Sequence, residues 1–467
     1  MKTTLVYPGI AGYGFDCLGH GMEAGWVSHG LAHISAAAKA QGFAIDLIDL
    51  RALKGWDDFR REIRERRPDV IGFTMMSVDY DPVMQCVEVV KDELPDSIVV
   101  VGGPHPTLAL HEVADNARID YIVTMEGEIT FPKLLAAVQE GRRPADRVIV
   151  GEMPDLDALP LPDRELFLTE WRKYGYTLVS PEVPFVEELP PPFLTIISGR
   201  GCRYNCNFCQ PAERSLFGRK VRRRSVASIM AELGALRDKY HFASLLFHDD
   251  CLTEDREWVT EFCLAYKAGG FTQPFFCQSR ADIIVKHPDM VRLMADAGLK
   301  GYFIGFESGN DRVLKFLRKG TTRAINLQAA RVCRQNDITI WANYMLGIPT
   351  ETKEEVMDTV SMLKEMDPDY YSPAFYTPHP GSDLFDYCQE HDLSLITSHG
   401  QYRRSPTEAK IKGMDYDFLR WALQESQRRK PWNQFKRTVR RYWKRYASPK
   451  KAVRRLLRMA GLAPARS

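Results

Sequence analysis

The chain has 467 residues, 45% of them hydrophobic, which is enough for two or three globular domains with real cores. No apolar run approaches the ~20 residues of a membrane-spanning helix, and ten cysteines in so long a chain do not read as the disulfide framework of a small secreted domain. The net charge of +2 conceals an acidic body and a basic tail: residues 428–467 hold 15 Lys or Arg and no acid, which leaves 48 basic against 61 acidic side chains before them, about −13.

The first residues, Met1-Lys-Thr-Thr-Leu-Val-Tyr-Pro8, read as a buried strand, without the apolar stretch and small-residue cleavage site of a signal peptide. Together with the cysteine usage this points to a cytoplasmic, reducing setting. Strands are predicted at 3–7, 44–49, 70–75, 98–102 and 121–125, with amphipathic helices between them, at 27–41 and 82–93 for example. Continuous apolar strands separated by helices make a parallel sheet covered on both faces, so residues 1–150 form an α/β, Rossmann-like domain. Such sheets bind ligands at the carboxyl ends of their strands. The loops there are rich in Gly, Pro and Ser: Thr74-Met-Met-Ser77, Gly102-Gly103-Pro-His105-Pro-Thr107 and Glu126-Gly127-Glu128. Gly19-His-Gly21-Met-Glu-Ala24 formally matches a dinucleotide fingerprint, but it lies about a dozen residues past the first strand, not in its tight turn.

Residues 151–192 are dense in proline and read as an interdomain linker packed across a surface, with one helix around 164–173. From residue 193 strand and helix alternate again, with strands at 194–197, 244–248, 275–278, 301–306, 338–346 and 370–376. Six units over residues 193–390 fit a partial (β/α)₆ TIM-type barrel, since eight units need about 250 residues. Residues 391–467 form a helical region that ends in the basic tail.

Gly201-Cys202-Arg-Tyr-Asn-Cys206-Asn-Phe208-Cys209 follows the first strand of this barrel. Three thiolates within eight residues can hold one cluster, and with no fourth cysteine beside them one iron stays open to a substrate. Zinc sites more often use paired Cys-x₂-Cys sets, and no second pair is present. This C-x₃-C-x-aromatic-C segment resembles the radical S-adenosylmethionine superfamily. The resemblance implies a [4Fe–4S] cluster on Cys202, Cys206 and Cys209 whose open iron chelates S-adenosylmethionine (SAM), and an external one-electron donor such as flavodoxin or ferredoxin. It also implies places for other strand-end residues: Phe208 beside the adenine, Asp250 of His248-Asp249-Asp250 toward the methionyl amine, and Arg280 with Asp282 toward the carboxylate or substrate. Glu307 and Ser308, in Gly-Phe-Glu-Ser-Gly309, would face SAM, and Gly347-Ile-Pro-Thr-Glu351-Thr would run near the adenine.

With the glycine-rich sheet domain in front of it, the chain resembles the cobalamin-binding subfamily, over about residues 1–390. That resemblance implies cobalamin at Ser77, Gly102, Gly103, Glu126 and Gly127, because a flat corrin approaches the backbone only where side chains are absent. Asp-x-His-x-x-Gly, the usual source of a lower cobalt ligand, is absent. His105 reads either as a loop residue near the nucleotide tail or as a turn cap. The subfamily implies methylation of an unactivated carbon in a lipid-like, tetrapyrrole or secondary-metabolite substrate. It also includes oxidative cyclases such as the magnesium-protoporphyrin ester cyclase, and a non-catalytic cobalamin or iron–sulfur sensor is the third reading. Tyr344, Tyr376, His379 and Asp383 are candidates for the substrate pocket.

In the tail, Phe435, Val439, Tyr442, Trp443 and Tyr446 fall three to four apart and form one helical stripe among cations, with a second short helix after Pro449. An anionic membrane surface on the inner face, docking on the protein's own acidic body, and nucleic acid are its three readings, with nucleic acid the least favoured.

Overall fold

In the computed structural model, residues 1–19, 26–177, 186–209 and 220–446 are described. The first unit is a six-stranded sheet built from β1 (Thr3–Tyr7), β2 (Ile45–Asp49), β3 (Val70–Thr74), β4 (Ile98–Gly102), β5 (Tyr121–Thr124) and β6 (Val148–Val150), in spatial order β2-β1-β3-β4-β5-β6. Every pair is parallel. Successive residues point to opposite faces and both faces are apolar. Leu5, Val70, Val100 and Val123 pack with Leu31, Leu134 and Trp171 on one side, while Val6, Ile71, Val99 and Val101 pack with Phe59, Val83 and Val90 on the other. This two-sided burial is what the continuous apolar runs require. The sixth strand is too short and too close to polar residues to stand out in the sequence.

The proline-dense segment does more than link. Its helix, Glu165–Lys173, starts one residue after the predicted position and buries Leu166, Phe167 and Trp171 in the core of the first sheet. The Trp171 indole N–H donates to Asp49 Oδ2 at 2.8 Å.

The second sheet contains β7 (Phe193–Ile196), β10 (Ser244–Phe247), β11 (Phe275–Ser279), β12 (Leu299–Glu307), β13 (Thr339–Leu346) and β14 (Tyr370–Phe375), again all parallel, in the order β14-β13-β12-β11-β10-β7. Between β7 and β10, the short β8 (Gly199–Arg200) pairs antiparallel with β9 (Arg222–Arg223). Since β7 and β14 are opposite edges, the sheet curls into a half-barrel without closing. Its outer face packs on helices through Leu245, Phe247, Phe275, Ile304 and Leu346. Its inner face is divided along its height. Leu246, Phe276, Phe303, Trp341 and Tyr370 fill the amino-terminal end, closed off by Val186 and Leu189. The carboxyl end carries polar Gln278, Glu307 and Asn343, which line a cavity.

The chain then returns across both units. The helix Tyr416–Ser426 packs Tyr416, Leu419 and Ala422 on the half-barrel. The helix Lys430–Tyr446 lies on the same unit: Asn433 donates to Pro368 O at 3.0 Å, Lys436 pairs with Asp367, and Arg437 stacks over Tyr370 at 4.3 Å. The segment after Pro449 lies outside the described residues.

Candidate active site

The cysteine loop is held in place by its neighbours. Asn207 receives a bond from Leu384 N at 2.9 Å through its carbonyl and donates its side-chain amide to Phe316 O at 2.7 Å, tying the loop to the segments after β12 and β14. Seven of the ten cysteines are buried in the cores. Cys202 and Cys206 are half-buried and Cys209 is exposed, and these three share the wall of one cavity of about 1020 Å³.

Two cations stand beside Cys206. Arg280, at the end of β11, stacks on Tyr204 at 3.6 Å, pairs with Asp282 at 2.9 Å and points Nη1 at Cys206 Sγ, 3.6 Å away. Lys319 is buried and bonded to Glu307 Oε1 at 3.0 Å, and its ammonium lies 5.8 Å from the Phe208 ring centre. Burial opposes the charge on Lys319, yet Glu307 and Cys206 together raise its pKa. Three thiols on one cavity wall, with two held cations beside Cys206, fit an anionic thiolate-ligated cluster, because positive charge nearby favours the thiolate.

The opposite wall of the cavity comes from the first sheet: Tyr7, Gly9, Gly12, Met76 and Asp79. Burial raises the Asp79 pKa to about 6. A second cavity of about 420 Å³ opens between the strand ends of the two sheets and is lined by Gly102, Gly103, Glu126 and Gly127. These glycines have no room for larger residues. Gly103 has φ +105°, and a Cβ there would sit 3.0 Å from Met75 N, while one on Gly102 would sit 3.0 Å from Val123 O. A bare backbone lip beside an apolar wall that includes Leu5, Val100 and Phe131 fits the tail of a bulky planar cofactor.

Other sequence-derived residues fall in different places. Asp250 borders both cavities, and Phe208, Arg280 and Glu307 line the larger one. Glu126 is committed to ion pairs with Arg200 at 3.1 Å and with Arg222, and Glu128 pairs with Arg200 at 2.6 Å, so the lip of the first sheet is bridged to the β8–β9 pair that flanks the cysteines on both sides in sequence. Asp249 is buried and accepts from Ser198 N at 3.0 Å, which makes it a brace for the same pair. Ser308 is fully buried behind the wall against Thr359 Oγ1 at 3.1 Å. Ser77 faces His105 Nδ1 at 3.1 Å and is outside both cavity linings. Glu351 accepts from Gly347 N at 2.8 Å and Ile348 N at 3.2 Å and thereby closes its own loop; burial pushes its pKa up to about 8. Tyr376, His379 and Asp383 reach the large cavity, whereas Tyr344 is turned away to Ser426, 2.6 Å distant.

Sequence reasoning missed Asp79, Lys319, Tyr402, Arg403 and Arg404 on this cavity. Lys319 lies a dozen residues past its strand. The last three come from the short 3₁₀ turn His399–Tyr402 and the irregular segment after it, beyond the half-barrel, where no periodicity marks them. Arg403 crosses to the first sheet, donating to Gly12 O at 2.6 Å and stacking on Tyr13 at 4.9 Å.

The B12 binding domain model matches residues 22–135, and the Radical SAM superfamily model matches residues 196–363. The chain is a radical SAM enzyme with a B12-binding domain. An uncharacterized methyltransferase of Pyrococcus horikoshii is 26% identical over 402 residues, covering 82% of this chain and 83% of the relative. The anaerobic magnesium-protoporphyrin IX monomethyl ester cyclase of Rubrivivax gelatinosus is 27% identical over 404 residues, covering 82% of this chain and 69% of the relative. The structure of OxsB, a cobalamin-dependent S-adenosylmethionine radical enzyme with aqua-cobalamin and S-adenosylmethionine bound, superposes with a TM-score of 0.71 at 16% identity, covering 98% of this chain and 75% of OxsB. That likeness extends over both parallel sheets of this radical SAM enzyme, so the fold is shared beyond either domain alone.

Proposed function

We propose that this radical SAM enzyme methylates an unactivated carbon of a lipid-like, tetrapyrrole or secondary-metabolite substrate. The observation that carries the reading is the single cavity with the cysteine loop on one wall and the strand ends of the first sheet on the other, large enough for a small molecule between two cofactors. When bound, SAM, the reduced cluster and cobalamin would supply a carbon-centred radical and a methyl group. The chain's own residues orient and exclude. In this reading Phe208 packs beside the adenine, Asp250 meets the methionyl amine, and Arg280 and Glu307 hold the polar part of SAM next to the cysteines. Ser308 acts from behind, by fixing the turn that presents Glu307. Gly102, Gly103 and Gly127 leave space for cobalamin, while Ser77 and Glu126 support that rim. Electrons come from an external donor such as flavodoxin or ferredoxin.

Anaerobic reconstitution followed by product mass tests this. Formation of 5′-deoxyadenosine with a product heavier by one CH₂ supports methyl transfer. Loss of hydrogens with ring formation, as the likeness to a cyclase allows, overturns it in favour of oxidative cyclisation. No 5′-deoxyadenosine at all would leave the sensor reading. Metabolites that accumulate in a deletion strain identify the substrate.

The helix Lys430–Tyr446 carries a second part of the proposal. One face docks through Asn433, Lys436 and Arg437, and the opposite side exposes Trp432 and Phe435, stacked at 5.5 Å, together with Val439. Apolar rings among cations favour a peripheral position on an anionic membrane surface. No helix among the described residues is long and apolar enough to cross a membrane. Binding to vesicles should rise with anionic-lipid content and fall in the W432A/F435A double variant; equal binding of that variant overturns this part.

A further inference from the structure

The return segment that supplies Tyr402, Arg403 and Arg404 is anchored to the first sheet at a cluster the chemistry above does not use. His105 follows β4 in the helix Pro104–Leu108, Glu112 lies on the next helical turn, Leu110–Val113, and His399 begins the turn His399–Tyr402, 287 residues beyond Glu112. One ligand-type atom from each lies within 4.8 Å of the others.

Both histidines present the same nitrogen to this point. His105 Nδ1 faces the Ser77 hydroxyl at 3.1 Å, and its Nε2 points at Glu112 Oε2, 3.6 Å away and beyond hydrogen-bond reach. His399 Nδ1 faces Asp81 Oδ1 at 3.7 Å, and its Nε2 lies 2.5 Å from the same Glu112 oxygen. His105 is thus held at Nδ1 by the Ser77 hydroxyl, the arrangement that fixes the tautomer of a metal-binding histidine, while His399 Nδ1 faces Asp81 at longer range; both Nε2 atoms turn to the shared carboxylate.

The rings are also locked by packing. Tyr80 stacks on His399 at 3.9 Å and meets His105 edge-on at 5.3 Å, and its hydroxyl donates to Glu112 O at 3.1 Å. His105 is completely buried, and among the described residues its Nε2 has no hydrogen-bond partner. A buried ring nitrogen left unpaired is costly unless something accepts its lone pair. Glu112 and His399 are about one-quarter exposed, which leaves a path for an ion and a water.

We propose that His105, Glu112 and His399 form a zinc-binding clasp that fastens the return segment to the first sheet. Two imidazole nitrogens and one carboxylate, with a water in the fourth position, make a borderline-soft donor set suited to Zn²⁺. On binding, neutral His399 carries its one N–H on Nδ1, the nitrogen facing Asp81, which frees the Nε2 lone pair, and the Nε2 contact with Glu112 is replaced by two metal–ligand bonds. No electron is exchanged. Fixing His399 also fixes the turn leading to Tyr402, Arg403 and Arg404, so the clasp sets one wall of the large cavity. The proposal holds whatever that cavity's substrate is.

The test uses the full-length, anaerobically reconstituted holoenzyme, loaded with Zn²⁺ and washed against a competing chromophoric chelator. We expect one tightly held zinc per chain with only nitrogen and oxygen neighbours by X-ray absorption, which separates it from zinc misplaced on the cysteines. Zinc should be lost in H399A and E112Q with iron content unchanged, and held at least ~10-fold more weakly in S77A. His399 and Glu112 are surface-accessible, so these variants report even if His105 proves indispensable for folding. Zinc surrendered to the chelator, zinc with sulfur neighbours, or equal retention by H399A would overturn the clasp.

Discussion

The two parallel sheets enclose two adjoining cavities, which share Asp250, and prepare them by opposite means. The first sheet offers an absence of side chains: Gly102, Gly103 and Gly127 line its lip, and its acidic groups there, Glu126 and Glu128, are already paired with Arg200 and Arg222. The half-barrel offers charge held in place, with Arg280 stacked on Tyr204 and Lys319 locked to Glu307 beside the thiols. A broad flat cofactor is best received by a clear surface, whereas a small polar one bound to a cluster needs fixed charges. Equivalent strand ends can therefore be specialised by what they omit as much as by what they carry.

Substitutions on each side should separate these roles. The largest effect belongs to the half-barrel: Cys206→Ala removes one of three thiolates, and 5′-deoxyadenosine formation should fall below detection while the protein still takes up cobalamin. Retained cleavage would break the assignment of the loop. On the first sheet, Gly103→Val places a branched side chain at φ +105° and 3.0 Å from Met75 N, at a cost of about 1–3 kcal/mol. Cobalamin loading should drop sharply while the iron content stays constant, the reverse of the cysteine variant.

Lys319→Met leaves Glu307 buried without its cation. Removing one partner of a buried pair costs about 3–5 kcal/mol, to be read by chemical denaturation. Arg200→Ala touches the bridge between the sheets, where the arginine is one-fifth exposed, so its cost should be smaller, about 1–3 kcal/mol. It should loosen both cofactor sites together, and an effect on one alone would mean that the bridge does not couple them.

The smallest effect is a pH dependence. Burial raises the Glu351 carboxyl from 4.5 to about 8 in the folded protein. Its contribution to stability is therefore complete below about pH 4.5 and is lost as the pH rises through about 8. Glu351→Gln keeps an acceptor for Gly347 N and Ile348 N but cannot ionise, so it should gain on the wild type by at least ~1 kcal/mol across that window. Parallel curves for the two proteins would remove Glu351 as a titrating group.

Much of this organisation was legible in the chain. Long apolar strands at regular spacing announce parallel sheets, because a strand buried on both faces must be apolar at every position. The cysteine triplet is legible because its ligands lie within eight residues, so their convergence needs only a loop. Gly102 and Gly103 could be found because a close approach to backbone leaves glycine as its trace. The sequence could not say that Glu126 would be spent on Arg222, that Ser308 and Glu351 would turn inward to brace their loops, or that Lys319 and Arg403 would complete the wall. These roles depend on partners up to several hundred residues away. Such partners meet only when two sheets and a returning segment pack against one another, and local pattern carries no record of that packing. Tertiary structure likewise decided that Trp171 of the proline-dense segment belongs to the first core, and that His399 stands beside His105.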